Sequence, residues 1–176
     1  MNEIDSVVPY MGREEIRKVT AEIRDHVGGS EKPWFNIVRF VELWLPAADD
    51  TFLFEIAEDS DPRLAGIHAM YRPDSNTITV RETVYERACK GAGQDRMTIA
   101  HEFGHYELHR NVSPTFARTT KQLPRELSAE WQAKAFAGEL LVDHRQMSLC
   151  MDYLEVADTF GVSWTAARFQ RARYGD

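Results

Sequence analysis

The sequence predicts an α+β fold: a mostly helical domain with a small antiparallel sheet of about three strands and a helix-turn-helix-like helical pair at the carboxyl end. Apolar residues recur at helical spacing over several long segments, and period-two alternation is confined to short segments between residues 51 and 81. The 176 residues, 43% of them hydrophobic, make about one domain with a buried core. This composition is typical of a globular protein rather than a disordered or fibrous one.

Charge, cysteine content and hydropathy limit the classes of function. A net charge of -7 opposes non-specific attraction to nucleic acid or to anionic membranes. The two cysteines, Cys89 and Cys150, form no paired pattern, as is usual in a reducing compartment. The segment MNEIDSVVPY lacks the basic region of a signal peptide, and no apolar run approaches the roughly 18 residues of a membrane span. We therefore expect a cytoplasmic protein.

The first half of the chain is predicted to contain two helices followed by the strands. Apolar residues at helical spacing predict helices over Arg13–Val27 and Trp34–Leu45, which end at a glycine pair and at Pro46. Strands are predicted at residues 51–57, Leu64–Tyr71 and Thr77–Arg81. Residues 73–76 supply turn chemistry, so the last two strands are expected to form a hairpin.

The second half is predicted to be helical. Helices are expected at Glu82–Cys89, at Asp95–His109 with Asp95 as N-cap, at Pro124–Val142, and from Asp143 onward. The polar segment Arg110–Leu123 has no periodicity and is predicted to be a loop, with a length that suits a cover over a site.

The last 26 residues resemble a helix-turn-helix, with a turn at residues 161–163 and Ser163 as cap of the second helix. We expect this part, residues 151–176, to pack on the domain formed by residues 1–150. Its second helix carries Arg168, Arg171 and Arg173, which suits contact with DNA. The start of that helix holds Trp164 and Thr165 instead of basic residues, so completing the core or binding a protein partner is the favoured role.

The segment TIAHEFGHYELH, residues 98–109, carries the chemistry. Residues four apart on a helix lie one above the other, so His101 and His105 present two imidazoles to one point. Glu102 lies about 100° around the helix, within reach of a water molecule at that point. This HExxH pattern supplies two zinc ligands and a general base on one rigid element.

A catalytic zinc site of this type needs a third protein ligand, and a carboxylate on the following helix is the natural source. Glu126, Glu130 and Glu139 are the candidates. Glu130 shares the inward face of its helix with Ala133 and Ala137, whose small side chains permit close approach to the histidine helix. A carboxylate in such a contact needs a cation, so the pattern favours Glu130. Glu126 lies a turn earlier, and Glu139 lies off that face.

The motif AHEFGHYELH followed by EWQAKAFAGELL resembles the ImmA/IrrE family of small bacterial and phage metallopeptidases. The resemblance covers roughly Ile67 to Arg173 and implies a zincin-like fold for residues 1–150. It implies one zinc ion held by His101, His105 and Glu130, with Glu102 as general base. Asp143 stands where many members have proline, which affects no implied ligand.

The resemblance also implies a function. Several members cleave a helix-turn-helix repressor, which releases genes under stress or lets a mobile element respond to damage. We therefore expect a zinc metallopeptidase with a narrow protein substrate, and such a repressor is the expected substrate. The alternatives are a non-catalytic regulatory or toxin-antitoxin-like protein that binds a partner through a zincin scaffold, and a DNA-binding regulator.

Four residues are candidates for supporting the ligands or stabilising the oxyanion: Tyr106, His109, His144 and His68. His109 matches the final histidine of the family motif. Because a lone histidine near a metal site more often orients a ligand than reacts, we expect His109 to hold a ligand in place, with Tyr106 as a second candidate for that role.

Overall fold

The computed structural model describes residues 5–28, 32–112, 118–119 and 124–174. The α-helices are α1 (Arg13–His26), α2 (Ile37–Arg39), α3 (Leu45–Ala48), α4 (Glu82–Cys89), α5 (Gly93–His109), α6 (Ala129–Leu141), α7 (Tyr153–Phe160) and α8 (Trp164–Tyr174). The strands are β1 (Asp5–Ser6), β2 (Leu53–Ala57), β3 (Ala69–Arg72), β4 (Thr77–Arg81) and β5 (Arg118–Thr119). This arrangement confirms the α+β class.

The three-stranded sheet is mixed rather than antiparallel as expected. Its order is β2-β4-β3, with β4 antiparallel to β3 and parallel to β2. The predicted hairpin forms, and Asn76 adopts the left-handed conformation at its turn. Because β4 inserts between β2 and β3, which run in opposite directions, it must be parallel to one of them. The central strand is the most buried of the three, which is the reason that TITVR lacks a solvent-facing side.

Helices α5 and α6 form the centre of the molecule and pack directly against each other. Their buried faces meet through Phe103 and Phe136, whose ring centroids lie 5.3 Å apart in an edge-to-face arrangement. Strand β3 lies along α5, and α1 packs on the other side of α6. The central helix pair therefore has the sheet on one side and the amino-terminal helix on the other.

The chain arrives at α6 through a short 3-10 turn, Arg125–Leu127, instead of the continuous helix that was predicted from Pro124. Ser128 then caps α6, because its hydroxyl oxygen accepts from the backbone N–H of Trp131 at 2.9 Å. Helix α5 likewise starts two residues before the predicted cap. Asp95 lies inside its first turn, where it pairs with Arg87 at 2.8 Å.

Two other helix predictions need correction. The segment predicted as one helix from Trp34 starts at Ile37 and contains a π-helical stretch, Phe40–Trp44, between α2 and α3. Pro46 lies in the first turn of α3 rather than after the helix. Proline has no backbone N–H to donate to the preceding turn, and the preceding turn is the wider, π-helical one. The helix predicted from Asp143 is a 3-10 helix, His144–Leu149, with the buried Asp143 as its N-cap.

The carboxyl-terminal helices share the core of the domain. Arg96 of α5 is buried, and its guanidinium donates to three backbone oxygens: those of Phe160 at 2.8 Å, of Phe35 at 2.5 Å and of Gly161. The guanidinium also lies over the ring of Trp34. Burial lowers the pKa of Arg96 to about 10. One buried side chain thus joins the turn between α7 and α8 to the helix that carries the HExxH motif.

The loop predicted at Arg110–Leu123 is described only in part: α5 ends at His109, and β5 pairs antiparallel with β1. Residues 113–117 and 120–123 lie outside the described residues. The prediction that this loop covers the site therefore falls outside them as well. In the described part of the chain, no helix has the length and apolar character needed to cross a membrane.

Candidate metal centre

The two motif histidines lie one above the other on α5, as their spacing predicts. The Nε2 atoms of His101 and His105 are 3.1 Å apart, and their rings meet nearly at right angles. The opposite side of the same helix is buried through Ile99, Ala100 and Phe103. The helix is therefore held in the core by its apolar face and presents both imidazoles from the other face.

Glu130 reaches both histidines from the first turn of α6. Its carboxylate oxygens lie 3.2 Å from His101 Nε2 and 3.2 Å from His105 Nε2. The imidazoles of His101 and His105, whose Nε2 atoms lie within 3.2 Å of the carboxylate, hold the pKa of the Glu130 carboxyl well below its usual range. The carboxylate is therefore charged at neutral pH in this arrangement.

A close approach of the two helices makes this contact possible. A Cβ atom added to Gly104 would lie 3.1 Å from three atoms across the interface: Ala133 Cα, Ala133 O and Phe136 Cδ1. Gly104 lies between the two histidines in sequence, and Ala133 lies one turn after Glu130. The absence of a side chain at Gly104 and the small one at Ala133 bring the carboxylate within reach of the imidazoles.

The three donor groups fit a metal ion. His101, His105 and Glu130 form the group of potential ligands found among the described residues, with donor atoms within 4.8 Å of one another. Ligand atoms about 2.0–2.2 Å from a tetrahedral zinc ion lie about 3.3 Å apart. The observed separations of 3.1 to 3.2 Å come close to that value. The donor set of two imidazoles and one carboxylate leaves a fourth position for water or substrate.

The cluster is accessible to solvent. The side chains of His101 and His105 are 21% and 18% exposed, and that of Glu130 is 45% exposed. A structural zinc site is usually closed by four protein ligands, often cysteines. Neither cysteine of this chain belongs to the cluster. The cluster therefore has three protein donor groups and is open to solvent.

Glu102 is held by the edge strand of the sheet. Its Oε2 accepts a hydrogen bond of 2.8 Å from the backbone N–H of Tyr71 in β3. The ring of Tyr71 packs against Tyr106, and its hydroxyl donates to Asn76 Oδ1 at 3.0 Å. Sequence reasoning missed Tyr71, because a backbone N–H gives no residue-type signal.

His109 lies behind His105 and not among the converging donor atoms. Its Nδ1 is 3.1 Å from His105 Nδ1, and its Nε2 is 3.0 Å from Gln132 Oε1. Burial lowers the pKa of His109 to about 4, so the ring is neutral at pH 7. Gln132, 1% exposed on α6, was also missed. A buried amide on an alanine-rich helix signals a polar partner without naming it.

The other candidates lie elsewhere. Tyr106 is buried and donates its hydroxyl to Asp49 at 2.8 Å, on the side of α5 toward β2, so it does not contact the ligands. Glu139 is buried against Arg13 at 3.0 Å and Tyr174 at 2.7 Å, where it joins α6 to α1 and α8. These contacts are structural.

Three further candidates are also separate from the donor cluster. Glu126 pairs with its neighbour Arg125 at 2.9 Å. His144 packs on the ring of Tyr174 with centroids 5.5 Å apart. His68 is exposed directly before β3, where its backbone oxygen accepts from Arg81.

Comparison with known proteins agrees with this geometry. The family model Peptidase_M78, described as the IrrE N-terminal-like domain, matches residues 62–170. That range is more than half of the chain and includes α5, α6 and all three potential ligands. A search of curated proteins finds no match.

Proposed function

Because the chain belongs to the Peptidase_M78 family of IrrE N-terminal-like domains, we propose that it is a zinc-dependent metallopeptidase that hydrolyses a peptide bond in a specific protein substrate. The convergence of two imidazole nitrogens and a carboxylate at 3.1 to 3.2 Å carries the proposal. A further carboxylate, Glu102, stands on the same helix beside the first ligand.

Zinc is the metal that best suits this donor set. His101, His105 and Glu130 would hold it through nitrogen and oxygen atoms, which are usual zinc ligands, and would leave one position open. When bound, zinc polarises the scissile carbonyl and lowers the pKa of a water molecule. We propose one ion per chain.

Glu102 is the proposed general base. The N–H of Tyr71 holds its Oε2, and within the described residues no second hydrogen bond engages the carboxylate. The remaining oxygen is thus available to take the proton of the attacking water and then to pass it to the leaving amine. The hydrogen bond from β3 restricts rotation of the Glu102 carboxylate, which keeps the other oxygen available for this proton transfer.

The proposed substrate is a helix-turn-helix repressor, in stress response or in the regulation of a mobile element. Support comes from the resemblance of the two sequence motifs to those of the ImmA/IrrE peptidases. The test is incubation of the zinc-loaded protein with a repressor encoded beside it, followed by mass analysis of the products. An intact repressor would contradict this choice of substrate.

The catalytic proposal is tested by Glu102→Gln, which keeps the size of the side chain and removes the base. We expect one zinc per chain, as in wild type, and a loss of hydrolysis of at least a hundredfold. Glu107→Gln on the same helix is the matched control, and we expect it to retain activity. If Glu102→Gln hydrolyses the substrate at the wild-type rate, the peptidase proposal is wrong, and a role in binding a protein partner is favoured instead.

For the carboxyl-terminal pair we propose a role in completing the domain rather than in binding DNA. Arg168 lies over the ring of Tyr153, and Arg171 donates to the backbone oxygen of Met151 at 3.0 Å, so both contact their own domain. Ala167 is buried in the core. Retention of the full chain on DNA that weakens steeply with salt would contradict this role.

A further inference from the structure

We propose that Gln132 is a positioning residue of the metal centre: through His109 it fixes the tautomer of His105 that directs the Nε2 lone pair at the metal position. The inference rests on the proposed zinc site and assigns a role to a residue that is not a ligand. Four groups form one chain of hydrogen bonds that ends at the metal ligand His105. They are His105 and His109 of α5, Gln132 of α6, and the backbone oxygen of Pro9 in the amino-terminal segment.

The direction of every hydrogen bond follows from the groups at the far end. The Gln132 side chain lies 2.8 Å from the backbone oxygens of Pro9 and Glu126. Both are carbonyl oxygens, which only accept, so the amide nitrogen of Gln132 must face them. The amide oxygen consequently faces His109 Nε2 at 3.0 Å, and that ring nitrogen must carry the proton.

The same argument continues to the ligand. A neutral His109 with its proton on Nε2 has a lone pair on Nδ1. His105 Nδ1 lies 3.1 Å away and must therefore donate, which places the single proton of a neutral His105 on Nδ1. Nε2 of His105 is left with a lone pair, and this is the atom next to His101 and Glu130. No other proton placement on neutral rings satisfies the contacts of Gln132 with Pro9, Glu126 and His109 and that of His109 with His105. The lone pair on His105 Nε2 then lies 3.2 Å from a Glu130 carboxylate oxygen, an arrangement that a cation between them would stabilise.

The arrangement also explains why Gln132 is an amide. A carboxylate would accept from His109 but would face two carbonyl oxygens without a proton to offer. An apolar side chain would leave the His109 Nε2–H and both carbonyls without this partner in a buried place. Only the amide offers an acceptor on one side and two donors on the other, in a side chain that is 1% exposed.

The amino-terminal segment thereby becomes part of the metal centre. Residues 7–11 lie across the start of α6: the N–H groups of Val8 and Met11 donate to Leu127 and Glu126 oxygens at 3.0 and 3.1 Å. These bonds hold Pro9 O beside Gln132. The hydrogen bonds farthest from the metal position are thus made to backbone carbonyl oxygens, which do not change their protonation.

The first test is the zinc dissociation constant of full-length Gln132→Leu, measured by competition with a chromophoric chelator near neutral pH. We expect an increase of about ten- to a hundredfold, the range found for changes to residues that orient ligands. The matched control is Gln170→Leu, since Gln170 is 3% exposed on α8 and lies beside Gly138, near the other end of α6 from Gln132. We expect its zinc affinity to stay within twofold of wild type.

The outcomes separate the two proposals. Failure of the wild-type protein to bind zinc would overturn the proposed function itself. Equal zinc binding by wild type and Gln132→Leu would overturn only the role of Gln132. An equal loss of affinity in both leucine variants would also overturn it, since a general weakening of the core would then be the cause.

A second test needs no variant. Long-range nitrogen–proton correlation spectra of the histidine rings in the zinc-loaded wild-type protein report the tautomer of each ring. We expect His109 with its proton on Nε2 and His105 with its proton on Nδ1. A His109 that is protonated on Nδ1, or on both nitrogens, at neutral pH would overturn the inference.

Discussion

Replacing Gly104 by alanine tests how closely the two ligand-bearing helices must approach. The new methyl group would lie 3.1 Å from Ala133 Cα, Ala133 O and Phe136 Cδ1. Two of these three atoms belong to the backbone of α6, so rotation of a side chain does not relieve the contact. The helices must move apart by about 0.3 Å to reach the 3.4 Å at which ordinary contacts begin.

Two effects on stability oppose each other. Alanine stabilises a helix interior by about 1 kcal/mol relative to glycine. Overpacking at a tight interface costs about 1–3 kcal/mol. We therefore expect the metal-free variant to lose between about 0 and 2 kcal/mol in its free energy of unfolding, measured by urea denaturation.

The effect on zinc is expected to be larger than the effect on stability. Metal–ligand distances in well-formed sites lie within about 0.2 Å of their standard values, and a helix shift of about 0.3 Å is larger than that range. Since Glu130 is one turn before Ala133, the carboxylate moves away from both histidines, and we expect zinc affinity to fall about tenfold.

The control is Gly12→Ala, where φ is -78° and the nearest atoms to a new Cβ are side-chain ends at 3.4 and 3.5 Å. Because Gly12 is the N-cap of α1, where alanine is less favourable than glycine, we expect a loss of about 1 kcal/mol in stability, and we expect zinc binding to stay unchanged. A Gly104→Ala protein that is about 1 kcal/mol more stable than wild type, with unaltered zinc affinity, would refute the close-approach argument.

Further predictions concern the core, pH and metal. Arg96→Met should lower the free energy of unfolding by about 3 kcal/mol or more in urea denaturation, because buried backbone oxygens lose their donor. Hydrogen bonds from Thr51 and Tyr106 hold the pKa of Asp49 below its usual range, so Asp49 stabilises the fold above about pH 4 and this contribution is lost as pH falls. Acid titration of Asp49→Asn should show a smaller loss of stability than wild type below about pH 4. Removal of zinc by a chelator should lower the Tm of wild type, and a smaller change is expected for Glu130→Gln, which binds zinc more weakly.

Local patterns predicted most of the elements. The helical spacing over residues 13–27 reflects one buried face, which a single segment can show by itself. Strand order cannot be read in this way. The parallel pairing of β2 with β4 depends on which strand lies in the centre, and that choice follows from burial of the whole sheet. The antiparallel prediction for β2 was wrong for that reason.

Residues of the site were likewise predictable where the signal lies within one segment, and not where it depends on contacts between segments. The pairing of His101 with His105 is a property of one helix, and the structure brings Glu130 to both of them. Tyr71 and Gln132 escaped prediction for different reasons. The contact of Tyr71 with Glu102 uses backbone, and that of Gln132 depends on how two helices and the amino-terminal segment come together.

Helix α6 shows how polar residues in a buried helix constrain a fold. Among its largely apolar residues, Glu130, Gln132 and Glu139 each face a different neighbour: the ligand histidines, His109, and the pair formed by Arg13 and Tyr174. Gln132 and Glu139 are buried and would be costly without their partners, because a buried polar group must be hydrogen bonded. These three contacts fix the rotation of α6 about its axis more narrowly than its alanines do, since small apolar side chains pack acceptably at several rotations. The polar contacts therefore set the position of the Glu130 carboxylate opposite the two imidazoles.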